Sequence, residues 1–187
     1  MTTLGRRALL AAIVGGALAA RARANAAAAP PPEVGAALPG ARLQGEGRLR
    51  FLGLHIYDAR LWTPGEVKAS DWTAATLALE LHYGRSLDGP KIAERSLAEM
   101  RRQGEIDPAQ AAPWLAAMAA LFPDVAEGDR LSAILLQPGQ PLRFFANGVL
   151  RGEGPGGDFT RRFLGIWLAP QTSEPALRQA LLGRAGA

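Results

Sequence analysis

Apolar and polar positions change their period along the chain. Between Arg48 and Trp62 they alternate in twos, the period of a β-strand, and Gly53 interrupts the run. This stretch reads as strand, or as two strands bent at Gly53. Within it, Leu54-His55-Ile56-Tyr57-Asp58-Ala59-Arg60-Leu61-Trp62 is expected as a central strand of a sheet. Tyr57 and Asp58 then point to opposite faces, while Asp58 and Arg60 share one and are expected to pair. Thr76–Tyr83 alternates again, with Leu77, Leu79, Leu81 and Tyr83 on one side and Ala78, Glu80 and His82 on the other.

A helical period follows. Ala93, Leu97 and Met100 recur at i, i+4, i+7 within Lys91–Gln103. Asp107-Pro108-Ala109-Gln110 carries Asp at the N-cap and Pro at the first helical position, and predicts a helix to Leu121. Strands are predicted at Asp129–Gln137, Leu142–Ala146 and Val149–Gly152, the last two joined by the tight-turn pair Asn147-Gly148. Two helices close the chain. One runs from Phe159 to Leu168, and the other starts at Ser173-Glu174-Pro175 with Leu177, Leu181 and Leu182 inward. Strands, two helices, strands, two helices is not a βαβ alternation. It predicts an α+β fold, an antiparallel β-sheet covered on one face by a layer of helices.

The N-terminus has a pattern of its own. Arg6 and Arg7 precede the uncharged run Ala8–Ala20, and Ala24-Asn25-Ala26 is a small-x-small cleavage site. Residues 1–26 are therefore expected to be a signal peptide cut after Ala26, using the twin-arginine or the general secretory route. The apolar run is short for a membrane span, which needs about 20 residues. Export to the periplasm or cell envelope follows as an expectation, with membrane contact only through export. Residues 27–40, rich in Ala and Pro, read as a flexible linker, and 41–183 as the folded domain.

Composition narrows the chemistry. Four of the 21 basic residues and none of the 17 acidic ones lie in 1–26, so the remainder carries 17 of each and no net charge. That argues against a nucleic-acid partner, which calls for a basic stripe. There is no cysteine, so thiol nucleophiles, thiolate metal sites and disulfides are excluded. His55 and His82 stand 27 residues apart and form no metal-binding pair. No metal or cofactor is expected. Gly45, Gly47 and Gly53 lack the strand-then-helix context of a phosphate loop and read as a turn and a strand kink. Arg48 and Arg50 alternate on one strand and could form a carboxylate fork. Lys91, one of only two lysines, stands at a helix start. Arg95 and Glu99 are an i,i+4 pair.

"GRLRFLGLHIYDARLW", "LELHYGRSLDGPKIAERSLAEMRR", "FPDVAEGDRL", "FFANGVLRGEGPGGDFTRRFLGIWL" and "TSEPALRQALLG", in that order, resemble the bacterial chalcone isomerase-like family from about Ala41 to Gly183. The resemblance implies an antiparallel sheet, a helical layer and a cleft between them. It implies that Arg48, or alternatively Arg50, stands for the family's cleft arginine and Tyr57 for its catalytic threonine. Lys91 would match the cleft lysine, and Arg95 falls near the cleft asparagine. The catalytic tyrosine has no counterpart, and Asp88 lies nearest its place. With the ketone-polarising pair gone, the resemblance implies a non-catalytic binder of a small amphipathic or carboxylate ligand such as a fatty acid, Arg48 or Arg50 converging on Tyr57. The alternative is an intramolecular lyase or isomerase acting on an enone-like substrate, and a third reading is an envelope interaction module with a filled cleft.

Overall fold

The computed structural model describes residues 28–183. The expected signal peptide and its cleavage site at Ala26 lie outside the described residues. The elements are α1 (Pro32–Ala37), β1 (Arg42–Phe51), β2 (Leu54–Thr63), β3 (Leu77–Tyr83), α2 (Gly89–Arg101), α3 (Pro108–Leu121), β4 (Arg130–Leu135), β5 (Arg143–Ala146), β6 (Val149–Glu153), α4 (Asp158–Leu168) and α5 (Pro175–Leu182). The strands form a six-stranded antiparallel meander in the order β1-β2-β3-β4-β5-β6. The α+β expectation holds: α2 to α5 form a layer on one face, here called the front.

Strand alternation decides what the two faces carry. Leu61, Leu77, Leu79, Ala133, Leu135 and Phe144 face the helices and join Phe159, Phe163, Leu164 and Leu168 of α4 in the main core. Truncating a buried Phe of this kind costs ~3–5 kcal/mol. The α3 start is as the sequence predicts, with the Asp107 carboxylate accepting the Ala109 N–H at 2.8 Å. The α2 start differs. Its Gly89 N–H is capped by Asp124 Oδ1 at 2.8 Å, from the loop after α3, which ties the two helices together.

Several expectations need correction. The stretch 27–40 is not a flexible linker where it is described. Val34 and Leu38 are buried with Trp62, Ala78 and Ile134 in a second core on the back of the sheet. The Glu33 carboxylate accepts from Ser132 Oγ at 2.9 Å and pairs with Arg130 at 3.1 Å. Ala and Pro dominate this segment, but three well-placed side chains suffice to dock one short helix.

The chain does not bend at Gly53; it reverses there. β1 begins at Arg42, and Phe51 pairs with Leu54 across a two-residue turn. Leu52 is not a turn-forming residue, which hid the hairpin. β2 consequently lies second from the sheet edge rather than at its centre.

Gly45 follows an irregularity of β1, where the register shifts between Leu43 and Gly45, but neither it nor Gly47 marks a turn. Both lie inside β1, where α5 crosses. A Cβ at Gly45 would collide with the Ala180 carbonyl oxygen, and one at Gly47 would press on Leu177. Their missing side chains make the seat for α5.

Asp58 and Arg60 do not satisfy one another. Directly opposed residues on neighbouring strands are closer than i,i+2 neighbours on one strand. The register sets Arg48 against Asp58, and Glu46 and Glu80 against Arg60. Arg60 Nε meets Glu46 at 3.2 Å and its Nη1 lies 3.8 Å from Glu80.

Candidate functional site

The front of the sheet and the helical layer do not close on each other completely. A cavity of about 310 Å³ lies between β1 to β5, α2, α4 and the segment entering α5. Leu79, Leu81 and Ala133 form its floor. Phe122, Phe144 and Phe163 form an edge-on aromatic wall, with Phe144 and Phe163 centroids 5.2 Å apart. A pocket of this size and lining suits a small, largely apolar molecule.

Tyr57 reaches the cavity because β2 alternation turns it to the front. It pairs with Leu49 on one side and Tyr83 on the other. Its ring meets that of Tyr83 edge-on, 6.0 Å between centroids at 76°. Its oxygen accepts a hydrogen bond from Trp167 Nε1 at 2.9 Å. Burial pushes both tyrosine hydroxyls well above their ordinary value of 10, because a phenolate would lose its solvation here. Tyr57 is thus a neutral hydroxyl that accepts from Trp167 and keeps a proton to donate. It is a poor general base.

Charge enters from α2. Lys91, Arg95 and Glu99 follow at helical spacing and all line the cavity. The Lys91 ammonium is drawn outward to Asp88, which raises its pKa, and its side chain is 77% exposed. Arg95 Nη2 pairs with Glu99 Oε1 at 2.6 Å. The Glu99 side chain is only 10% exposed, and its second oxygen, 3.6 Å from Arg102, has no hydrogen-bond partner. One guanidinium nitrogen of Arg95 serves this pair. The group's other donors are compatible with a bound anion.

Three of the five expected site residues, Tyr57, Lys91 and Arg95, are therefore brought together. Arg48 and Arg50 are not. Arg48 lies opposite Asp58 in the register, on the back face, and forms a two-pronged pair with it at 2.6 and 2.9 Å. That pair holds the Asp58 carboxyl below its usual range. Arg50 donates to Gly53 O at 3.3 Å. The expected convergence of either arginine with Tyr57 does not occur, because a one-residue offset on a strand exchanges faces.

The sequence reading missed Glu99, Tyr83 and the polar role of Trp167. Their signals were the i,i+4 step from Lys91 through Arg95 to Glu99, and the register of two tyrosine-bearing strands. Among the described residues no cluster of His, Cys, Asp and Glu could hold a metal ion.

Comparison with known proteins adds the lineage. An uncharacterized protein of Haemophilus influenzae is 28% identical over 132 residues, 70% of this chain and 62% of that protein, so the match spans less than two-thirds of the relative. A crystal structure of a fatty-acid binding protein of Arabidopsis thaliana superposes with a TM-score of 0.61 at 15% identity, over 77% of this chain and 87% of the other. At that identity the likeness speaks for the fold. The profile of the chalcone isomerase-like family matches residues 37–183. The six-stranded meander, its helical layer and the cavity between them are thus those of a member of the chalcone isomerase-like family, to which this chain belongs.

Proposed function

We propose that this protein binds one small amphipathic molecule with an anionic head, a fatty acid being the class that fits best, and performs no chemistry on it. The observation that carries the reading is the distribution of polarity in the cavity. Its floor and aromatic wall are apolar, while the charged groups are confined to the rim, with Lys91, Arg95 and Glu99 together on α2 and Glu174 at the entry to α5. About 310 Å³ lies near the lower end of the usual ligand-pocket range of roughly 300–1,000 Å³. Arg95 is the candidate partner for a carboxylate head, with the Tyr57 hydroxyl as a second donor and Lys91 at the rim. The fatty-acid binding description of the Arabidopsis protein of the same fold supports the ligand class.

The lyase or isomerase reading asks for Tyr57, Lys91 and an arginine around one reacting centre. Tyr57 and Arg95 both line the cavity, but Lys91 is drawn outward to Asp88, which supports the binder. Export to the periplasm or envelope belongs to the same proposal and rests on the sequence of residues 1–26 alone. A periplasmic extract should yield a protein whose first residue is Ala27.

The direct test is native mass spectrometry of the purified protein, followed by denaturing extraction and titration with oleate. A single bound fatty acid, weakened by Arg95→Ala and by Tyr57→Phe, supports the proposal. An apo mass with no heat on titration overturns it.

A further inference from the structure

Glu174 is a cavity acid that the fold itself does not use. It stands immediately before α5, partly buried, and lines the cavity. The ordinary uses of a carboxylate there are not made. It does not cap α5, whose first turn receives no side-chain hydrogen bond from it. It does not pair with Arg178, which stands at the usual i,i+4 spacing. That guanidinium instead donates to the Leu168 carbonyl at 2.7 Å and the Ala69 carbonyl at 3.3 Å. The cavity's own cations are also engaged elsewhere, Lys91 with Asp88 and Arg95 with Glu99. Yet the residue's place is fixed. The Thr172 hydroxyl accepts from Glu174 N at 3.1 Å and itself donates to the Ile166 carbonyl of α4 at 2.7 Å.

A second acid borders the same space. Glu99 is nine-tenths buried, and its Oε2 has no hydrogen-bond partner. After burial and the Trp167 bond, the groups that act on the Tyr57 hydroxyl are Glu174, Glu99 and Arg95, the acids raising its pKa and the arginine lowering it. Charge interactions fade with distance, so all three stand around that hydroxyl. The polar end of the cavity is therefore not a plain anion site. Arg95 and Tyr57 offer donors, Glu174 offers an acceptor, and the Ser173 hydroxyl beside it can do either. A bare carboxylate would satisfy the donors and leave Glu174 opposed to a like charge. An ammonium would answer Glu174 but stand against Arg95 and Lys91. A hydroxyl donates to a carboxylate without bringing a charge of its own.

We infer that the ligand's head carries a hydroxyl close to its carboxylate, the carboxylate meeting Arg95 and Tyr57 and the hydroxyl donating to Glu174. The ligand class is then a hydroxy fatty acid rather than a plain one. This rests on the fatty-acid reading above and narrows it.

The test uses the chain from Ala27 onward, because both cores lie wholly within it. The cavity of about 310 Å³ is about twice the roughly 150 Å³ that takes up benzene, so probes of roughly twelve carbons suit it. Calorimetry compares dodecanoate with its 2-hydroxy, 3-hydroxy and corresponding methoxy derivatives, on the parent and on Glu174→Ala and Glu174→Gln. We expect the parent to prefer a hydroxy acid to dodecanoate by roughly tenfold or more, as a hydrogen bond to a charged acceptor implies. The methoxy acids, which accept but cannot donate, gain nothing. In Glu174→Ala the preference disappears, and dodecanoate binds at least as tightly as to the parent, because an opposing charge is gone. Glu174→Gln, which keeps the shape and one acceptor oxygen, retains part of the preference. Equal binding of hydroxy and plain acids by the parent overturns the inference and leaves the fatty-acid reading standing. So does a preference that survives Glu174→Ala, or one that the methoxy acids share. If neither these acids nor oleate bind, the fatty-acid reading falls and takes the inference with it.

Discussion

The indole of Trp167 donates to the hydroxyl of Tyr57 at 2.9 Å, joining α4 to β2 across the cavity and across 110 residues of sequence. The bond fixes which side of the phenol remains free. It also links Tyr57 to the aromatic wall, because the Trp167 ring packs edge-on against Phe163 with centroids 5.5 Å apart.

Replacing Tyr57 by Phe leaves the Trp167 N–H buried and unpaired. We expect a loss of about 1–3 kcal/mol in urea unfolding. If the hydroxyl also meets the ligand head, oleate affinity falls by roughly an order of magnitude.

Tyr57 and Tyr83 are the two tyrosines of the whole chain, and burial raises both above the ordinary value of 10. The folded protein then keeps two protons that the unfolded chain releases near pH 10. Stability is intact below that pH and falls as pH rises above it. The phenolate absorbance should therefore appear in one step with unfolding, read by near-ultraviolet dichroism. A phenolate signal near pH 10 with the fold intact would place the hydroxyls in water.

Arg95→Ala should weaken a fatty acid about 10- to 100-fold while leaving its methyl ester within a few-fold, because only the acid offers a charged acceptor. Calorimetry with the two ligands decides it. Equal losses for acid and ester would point to altered packing of Glu99 instead.

Arg48→Ala should leave oleate affinity unchanged, since its pair with Asp58 lies on the back of the sheet. The Asp58 carboxyl is held low by Arg48, so what the pair contributes is present above the usual carboxylate range and is lost as pH falls through it. Parent and variant melting curves should converge in acid. A large affinity loss in Arg48→Ala would mean that the back face binds ligand.

A chain beginning at Ala41 should be less stable than one beginning at Ala27. It lacks Val34 and Leu38, each almost fully buried, whose burial is worth about 1.5–3 kcal/mol apiece. Glu33→Gln should reproduce part of the loss by weakening the pair with Arg130. Urea midpoints of the three proteins measure both effects.

The elements whose side chains repeat cleanly were legible in the sequence. The alternation of Leu77 to Tyr83 and the 3.6 period of Ala93, Leu97 and Met100 reflect burial against a single layer. What escaped depends on pairing between segments distant in sequence. No local pattern tells that Arg48 faces Asp58 or that Glu33 meets Arg130 and Ser132 97 and 99 residues away. The Leu52-Gly53 reversal was hidden because its first residue contradicts turn chemistry. The site divided on the same line. Tyr57, Lys91 and Arg95 were pointed to by the family resemblance, and strand and helix periods allow them one cavity, whereas excluding Arg48 requires the register.

Gly45 and Gly47 bear on how this binding site can change. Ser173 and Glu174 border the cavity immediately before α5, and α5 rests on β1 where those glycines leave no side chain. Any larger residue at 45 would meet backbone, which cannot turn aside. The cavity's width on that side is fixed by atoms that are absent, and substitution there has nowhere to go. Adaptation to a longer or bulkier ligand, in nature or in the laboratory, must proceed through the exchangeable side chains of α2 and α4.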